Sequence, residues 1–196
     1  MVSVEQQREL KPTPEAEALY RRWVAHLNEE FGRHQSPDRR AEIVRDELYE
    51  MYLGRPRGSK TSSALLSETA IFVLDDSFDV RNVTLDADYA TDVDQEQYGP
   101  RRALIWFWQM FDRSPLGLNL WLGLRFRCML GQHIFRKVGK GVKIHRNVEF
   151  TYGYNLTIED NCTILRGAYL DDHNEILVRA GTTIGEGERV EPTVPV

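Results

Sequence analysis

Proton transfer near neutral pH falls most readily to imidazole, and this 196-residue chain carries five histidines: His26, His34, His133, His145 and His173. Only His173 lies among acids and an amide, in the stretch Leu-Asp-Asp-His-Asn-Glu-Ile-Leu over 170–177. A carboxylate beside an imidazole fixes its tautomer and supports the charge it gains as a base. His173 with Asp172 is therefore the candidate catalytic pair, and Asn174 the candidate substrate contact. A plain polar turn requires the same residue types, so sequence alone leaves the structural reading open. His26 and His34 fall in a helical region where a solvent-facing role is the default, and His133 sits among basic residues near a helix end.

Other chemistries find little support. Cys128 and Cys162 are too few and too far apart for a disulfide framework or a zinc knuckle, and they fit a reducing compartment. The segment Gly58-Ser59-Lys60-Thr61-Ser62 lacks the earlier glycine and the preceding apolar strand of a phosphate-binding loop. Asp75 to Glu96 holds eight acids against Arg81 alone, but without the ordered spacing and turn glycine of a calcium loop; a solvated surface loop is expected there. The formal net charge of −5 gives no case for nucleic acid. The amino terminus lacks a basic start followed by an apolar core, so a cytoplasmic location is expected.

The element that must position His173 is a repeat. From Val138 the chain reads as three hexads followed by two extra residues, and the pattern restarts after twenty. Val138, Ile144, Phe150, Ile158, Ile164, Leu170, Val178, Ile184 and Val190 occupy the first places, and none is polar. The fifth places are mostly small or apolar (Val142, Val148, Tyr154, Cys162, Ala168) until Asn174, Thr182, Glu188 and Val194. Neither helical spacing nor simple alternation accounts for this period. A solenoid does, with short strands and corners winding so that first-place side chains stack on those of the next coil. His145 then falls at a second place and points outward.

These residues resemble the hexapeptide-repeat proteins, the left-handed parallel β-helix family. The stretch Phe150 to Gly185, with Tyr-Gly-Tyr-Asn at 152–155 and Leu-Asp-Asp at 170–172, is similar to the sugar and polysaccharide O-acetyltransferase branch. The resemblance covers the last third of the chain. It implies acyl transfer from acetyl-CoA or another acyl-CoA co-substrate to a saccharide hydroxyl, no permanently bound cofactor, and a homotrimer whose base lies at the seam between subunits. In the family the active-site histidine follows in later coils, and no residue here matches its motif. The expectation is a member shortened at its carboxyl end, or one whose site is assembled differently.

Upstream, Thr13-Pro14-Glu15 and Ser36-Pro37-Asp38 are helix starts, with apolar stripes Leu19, Trp23, Leu27, Phe31 and Ala41, Val44, Leu48, Met51 ending at Gly32 and Gly54. They read as a helical hairpin whose stripes pack on each other, with Trp23 and Tyr49 as core residues. Arg55 to Ser63 reads as a linker, and Ala64 to Leu74 as helix or buried strand. Between Arg101 and Arg146 ten basic residues, opposed by Asp112 alone, are interleaved with aromatics, as expected of two helices broken at Ser114-Pro115 and Gly117. They can cap the open end of the solenoid, or lie peripherally in a membrane interface through 101–137.

The expected architecture is α+β: a helical hairpin plus acidic loop over 1–99, basic aromatic capping helices over 100–137, and a short left-handed parallel β-helix of about three coils over 138–196. Three functions fit it: the O-acetyltransferase, a non-catalytic β-helix scaffold, and a γ-carbonic anhydrase-like metalloenzyme. The last would need three histidines converging on one metal.

Overall fold

The computed structural model describes residues 11–57 and 68–192. Residues 58–63 of the expected 55–63 linker, which include the segment weighed as a phosphate-binding loop, residues 64–67 of the 64–74 segment, and Val194 and Pro195 lie outside them. The described chain is mixed α and β: helices first, then short strands in three parallel sheets.

Both amino-terminal helices begin where their caps place them. α1 (Pro14–Arg33) is capped by the Thr13 hydroxyl, which accepts from the Ala16 amide, and α2 (Pro37–Leu53) by Ser36, which accepts from Arg39. Gly54 closes α2 in the left-handed conformation, the standard use of glycine at that position. Gly32 does not close α1, which runs on to Arg33 and ends at an extended His34. The hairpin expectation needs correction: α2 lies chiefly on α4 (Gln95–Arg113) and α1 on α5 (Leu120–Ile134). The reason is aromatic: Phe111 and Phe126 stack with ring centroids 3.8 Å apart, Trp23 stacks on Phe126 at 5.4 Å, and Phe31 meets Phe107 edge-on. The rings of α4 and α5 give α1 an apolar surface to cover, and Tyr52 of α2 donates to the Met110 carbonyl of α4 at 2.8 Å. Tyr49 is buried and Trp23 half-buried, both in the core as expected, while Leu19 is exposed.

α3 (Glu68–Phe78) makes the described part of the 64–74 segment helix. The acidic stretch is solvated as expected at Asp76, Asp86, Asp92, Asp94 and Glu96, but its backbone is folded. Two 3-10 turns, Val80–Asn82 and Asp86–Tyr89, are tied down by arginine. Arg102 donates to Asp88 at 2.6 Å and to the carbonyls of Val80 and Val83, and Arg81 pairs with Asp79 at 2.6 Å. The guanidinium beside it holds the Asp79 carboxyl below the usual carboxylate range.

α4 and α5 break where Ser114-Pro115 and Gly117 stand, around the 3-10 turn Pro115–Leu118. The 99/100 boundary falls inside α4, so the acidic region and the capping helices are continuous. α5 packs against the first coil. Trp108 donates its indole N–H to the Val148 carbonyl at 3.0 Å and packs with Phe135 and Phe150. The buried Arg127–Asp112 pair, 2.5 Å apart, extends to the Asn147 amide. The aromatics of 101–137 thus largely face inward, with Leu118 and Leu120 exposed at the interhelical turn. No helix among the described residues is long and apolar enough to cross a membrane.

The solenoid has the inferred register. β1 (Lys137–Val138), β4 (Leu156–Ile158) and β7 (Ile176–Val178) form one sheet. The second is β2 (Lys143–Ile144), β5 (Thr163–Ile164) and β8 (Thr183–Ile184), and the third β3 (Glu149–Phe150), β6 (Tyr169–Leu170) and β9 (Arg189–Val190). Every pairing is parallel and offset by twenty residues: Val138, Ile158 and Val178 align, as do Ile144, Ile164, Ile184 and Phe150, Leu170, Val190. These first-place side chains are buried or half-buried. At fifth places Val142, Val148, Tyr154, Cys162 and Ala168 are buried, whereas Asn174 at the end of the second coil and Thr182 and Glu188 of the third are exposed.

Candidate functional site

The corner after β6 carries Asp171, Asp172 and His173, and the corner after β3, one coil earlier, carries Thr151 to Asn155. Their juxtaposition follows from the register. Asp172 is fully buried, and its carboxylate accepts from the backbone amides of Thr151 and Tyr152, both at 2.8 Å, and of Asn155 at 3.3 Å. Burial raises its pKa, and these amide bonds act against the rise. No hydrogen bond or ion pair joins it to His173 among the described residues. The expected His173–Asp172 pair is therefore corrected: Asp172 clamps the 151–155 loop, because a buried carboxylate must be satisfied by donors, and the loop amides are the donors within reach.

The carboxylate that meets His173 is Asp92, from the strap between the second 3-10 turn and α4. His173 Nδ1 lies 3.1 Å from Asp92 Oδ2 and 3.1 Å from the Tyr152 hydroxyl, which itself donates to Asp92 Oδ1 at 2.5 Å. With a proton on Nδ1, all three contacts are satisfied at once, and Nε2 presents its lone pair. Hydrogen bonds from Tyr152 and then His173 hold Asp92 below the ordinary carboxylate range. Burial and the Asp92 charge push the Tyr152 phenol upward, so it stays protonated. Tyr152 is rigid: its ring is buried and stacks on Tyr154 at 5.2 Å. Tyr154 accepts from the Asp94 amide at 3.0 Å, so two tyrosine hydroxyls pin the strap. On the other side of the imidazole, Nε2 is 3.6 Å from Asp171 Oδ1, and Asp171 is in turn paired with Arg189.

His173 lines a cleft of about 680 Å³. Residues of the 85–90 segment, Ile105, Trp108 and Gln109 of α4, Glu149 and Phe150 of β3 and Tyr169 of β6 line it as well. Asn174 is exposed and is not among its lining residues, so the proposed substrate contact is not brought to it. The remaining histidines are scattered. His133 Nε2 meets Asn28 at 2.8 Å, and burial, then the Arg40 charge, lowers its pKa to about 4. His145 faces a smaller hollow of about 390 Å³ with Arg127, Arg146 and Arg166. Among the described residues no three His, Cys, Asp or Glu side chains of the chain group as a metal site.

Sequence reasoning missed Asp92 and Tyr152. Asp92 stands 81 residues before His173 in an acidic run without periodicity. The signal for Tyr152 was the bulky phenol in a Gly-flanked corner, whose hydroxyl had to reach a polar partner. Compared with protein-family models, curated proteins and solved structures, the chain matches none.

Proposed function

We propose that this protein is an acyltransferase that moves an acyl group from a thioester such as acetyl-CoA to a saccharide hydroxyl, with His173 as general base. The observation that carries the reading is the Asp92–His173 contact, braced by Tyr152, beside a cleft on a parallel β-solenoid. In the proposed step His173 Nε2 takes the acceptor hydroxyl proton while that oxygen bonds to the thioester carbonyl carbon. The tetrahedral intermediate collapses with loss of the thiolate, which recovers the proton from the imidazolium. Asp92 holds the Nδ1–H tautomer and stabilises the cation. The resemblance of the coils adds a left-handed winding and a homotrimer, with acyl-CoA along the subunit seam, to the same reading.

Release of free thiol from acetyl-CoA in the presence of a saccharide panel tests it. His173→Ala is expected to lower turnover by about 10²–10⁴-fold, and Asp92→Asn, which disfavours the Nδ1–H tautomer, by at least about tenfold. Turnover unchanged by His173→Ala would overturn the assignment of the base.

One observation favours a second reading, a non-catalytic scaffold: His173 sits between Asp92 and Asp171, as a purely structural ionic bridge would. That reading expects no thiol release from the parent chain and a loss of stability in His173→Ala.

A further inference from the structure

The 680 Å³ cleft lies within the usual range for small-ligand sites, roughly 300–1,000 Å³, and its lining chemistry discriminates among ligands. Asp86, Glu149 and Arg113 contribute two carboxylates against one guanidinium, and Gln109 adds an amide. Asp112, which also borders the cleft, is already engaged by Arg127 and the Asn147 amide. The balance is negative, which disfavours the phosphates of a nucleotide-bearing acyl donor. Carboxylate, amide and guanidinium groups are instead suited to hydroxyls, which both donate and accept. Tyr89 stands on the rim at 80 % exposure. An aromatic face beside hydrogen-bonding groups matches a ring with an apolar face and a polar edge.

We infer that this cleft is the acceptor site, that it takes a neutral saccharide stacked on Tyr89 with one hydroxyl directed at His173, and that a single chain supplies it whole. The inference rests on the acyltransferase reading for the role of His173, but the binding it predicts needs no acyl donor. Its lining residues between 85 and 113 lie outside the solenoid, and the others, between 147 and 173, belong to the first two coils of the same chain.

Titration of the intact, isotope-labelled chain with maltose, galactose and N-acetylglucosamine, followed by amide NMR shifts, tests this. The expected result is saturable shifts, from at least one sugar, confined to 85–90, 105–113, 147–151 and 169–173. Tyr89→Ala is expected to weaken that binding at least about fivefold with an unchanged far-UV spectrum, because the exposed ring supports no core. Gln109→Ala provides a second variant and is expected to weaken it as well. No binding from any sugar, shifts centred on the Arg146 and Arg166 hollow, or binding unaffected by both variants would overturn the inference. Thiol release stimulated by a sugar without shifts in the cleft would sink the acceptor site and leave the transferase standing. Saturable cleft binding without thiol release would do the reverse.

Discussion

At the scale of single residues, the same corner separates two carboxylates that look alike in sequence. Asp172 is satisfied by backbone amides, Asp171 pairs with Arg189 and stands 3.6 Å from His173 Nε2, and the nearer carboxylate at Nδ1 comes from another element. Asp172→Asn would turn an NH₂ group toward amide donors that the carboxylate now accepts. The expected loss is about 1–3 kcal/mol, read as a shift of the urea midpoint with an unchanged slope. His133 offers a pH test. Burial lowers its folded pKa to about 4, below the ordinary 6.5. As pH falls from about 6.5, the unfolded chain takes up a proton that the folded chain refuses, so stability declines until about pH 4. In His133→Gln this decline should be shallower, since carboxylates of depressed pKa such as Asp79 lose their contribution only below the ordinary 3.8. Denaturant midpoints at pH 7 and pH 5 for the two chains give the comparison.

Among the elements, the 151–155 loop is the most constrained. Gly153 has φ +81°, and a Cβ there would come within 2.5 Å of the Ile134 side chain at the end of α5. Gly153→Ala therefore combines left-handed strain with overpacking, about 2–4 kcal/mol together, and would displace Tyr152 from Asp92. The expected outcome is a lower melting temperature and loss of thiol release in the same variant. The solenoid itself was legible to the residue, because nine first places and a twenty-residue restart fix both period and inward face. Helix starts at Thr13 and Ser36 were legible through their capping chemistry. Which helix each would pack on was not, since an apolar stripe says that a face is buried and nothing about its partner. The site was half-legible for a related reason. His173 announces itself locally, while Asp92 arrives through a strap whose position depends on Arg102, Tyr152 and Tyr154.

Across the whole molecule, helices and solenoid share one core. Phe135 and Phe150 meet edge-on at 4.9 Å with Trp108 against both, and Arg101 donates to the Ile134 carbonyl at 2.7 Å. A solenoid of nearest-neighbour coils could otherwise melt coil by coil. Here the first coil is fused to α4 and α5, so far-UV and near-UV dichroism should report one coincident thermal transition; two separated transitions would show the helical layer to be an independent unit. The change of character in the third coil has its own consequence. Stacked parallel β-coils are natural monomers for filaments, since each end offers strand edges and an apolar floor to the next copy. A strand stacked on the described part of the third coil would have to strip water from Thr182 and Glu188, and the Glu188 carboxylate is already held by the Gly185 amide at 2.6 Å. Such stacking is disfavoured by these two side chains, and Thr182→Val should scatter more light on standing at high concentration than its parent.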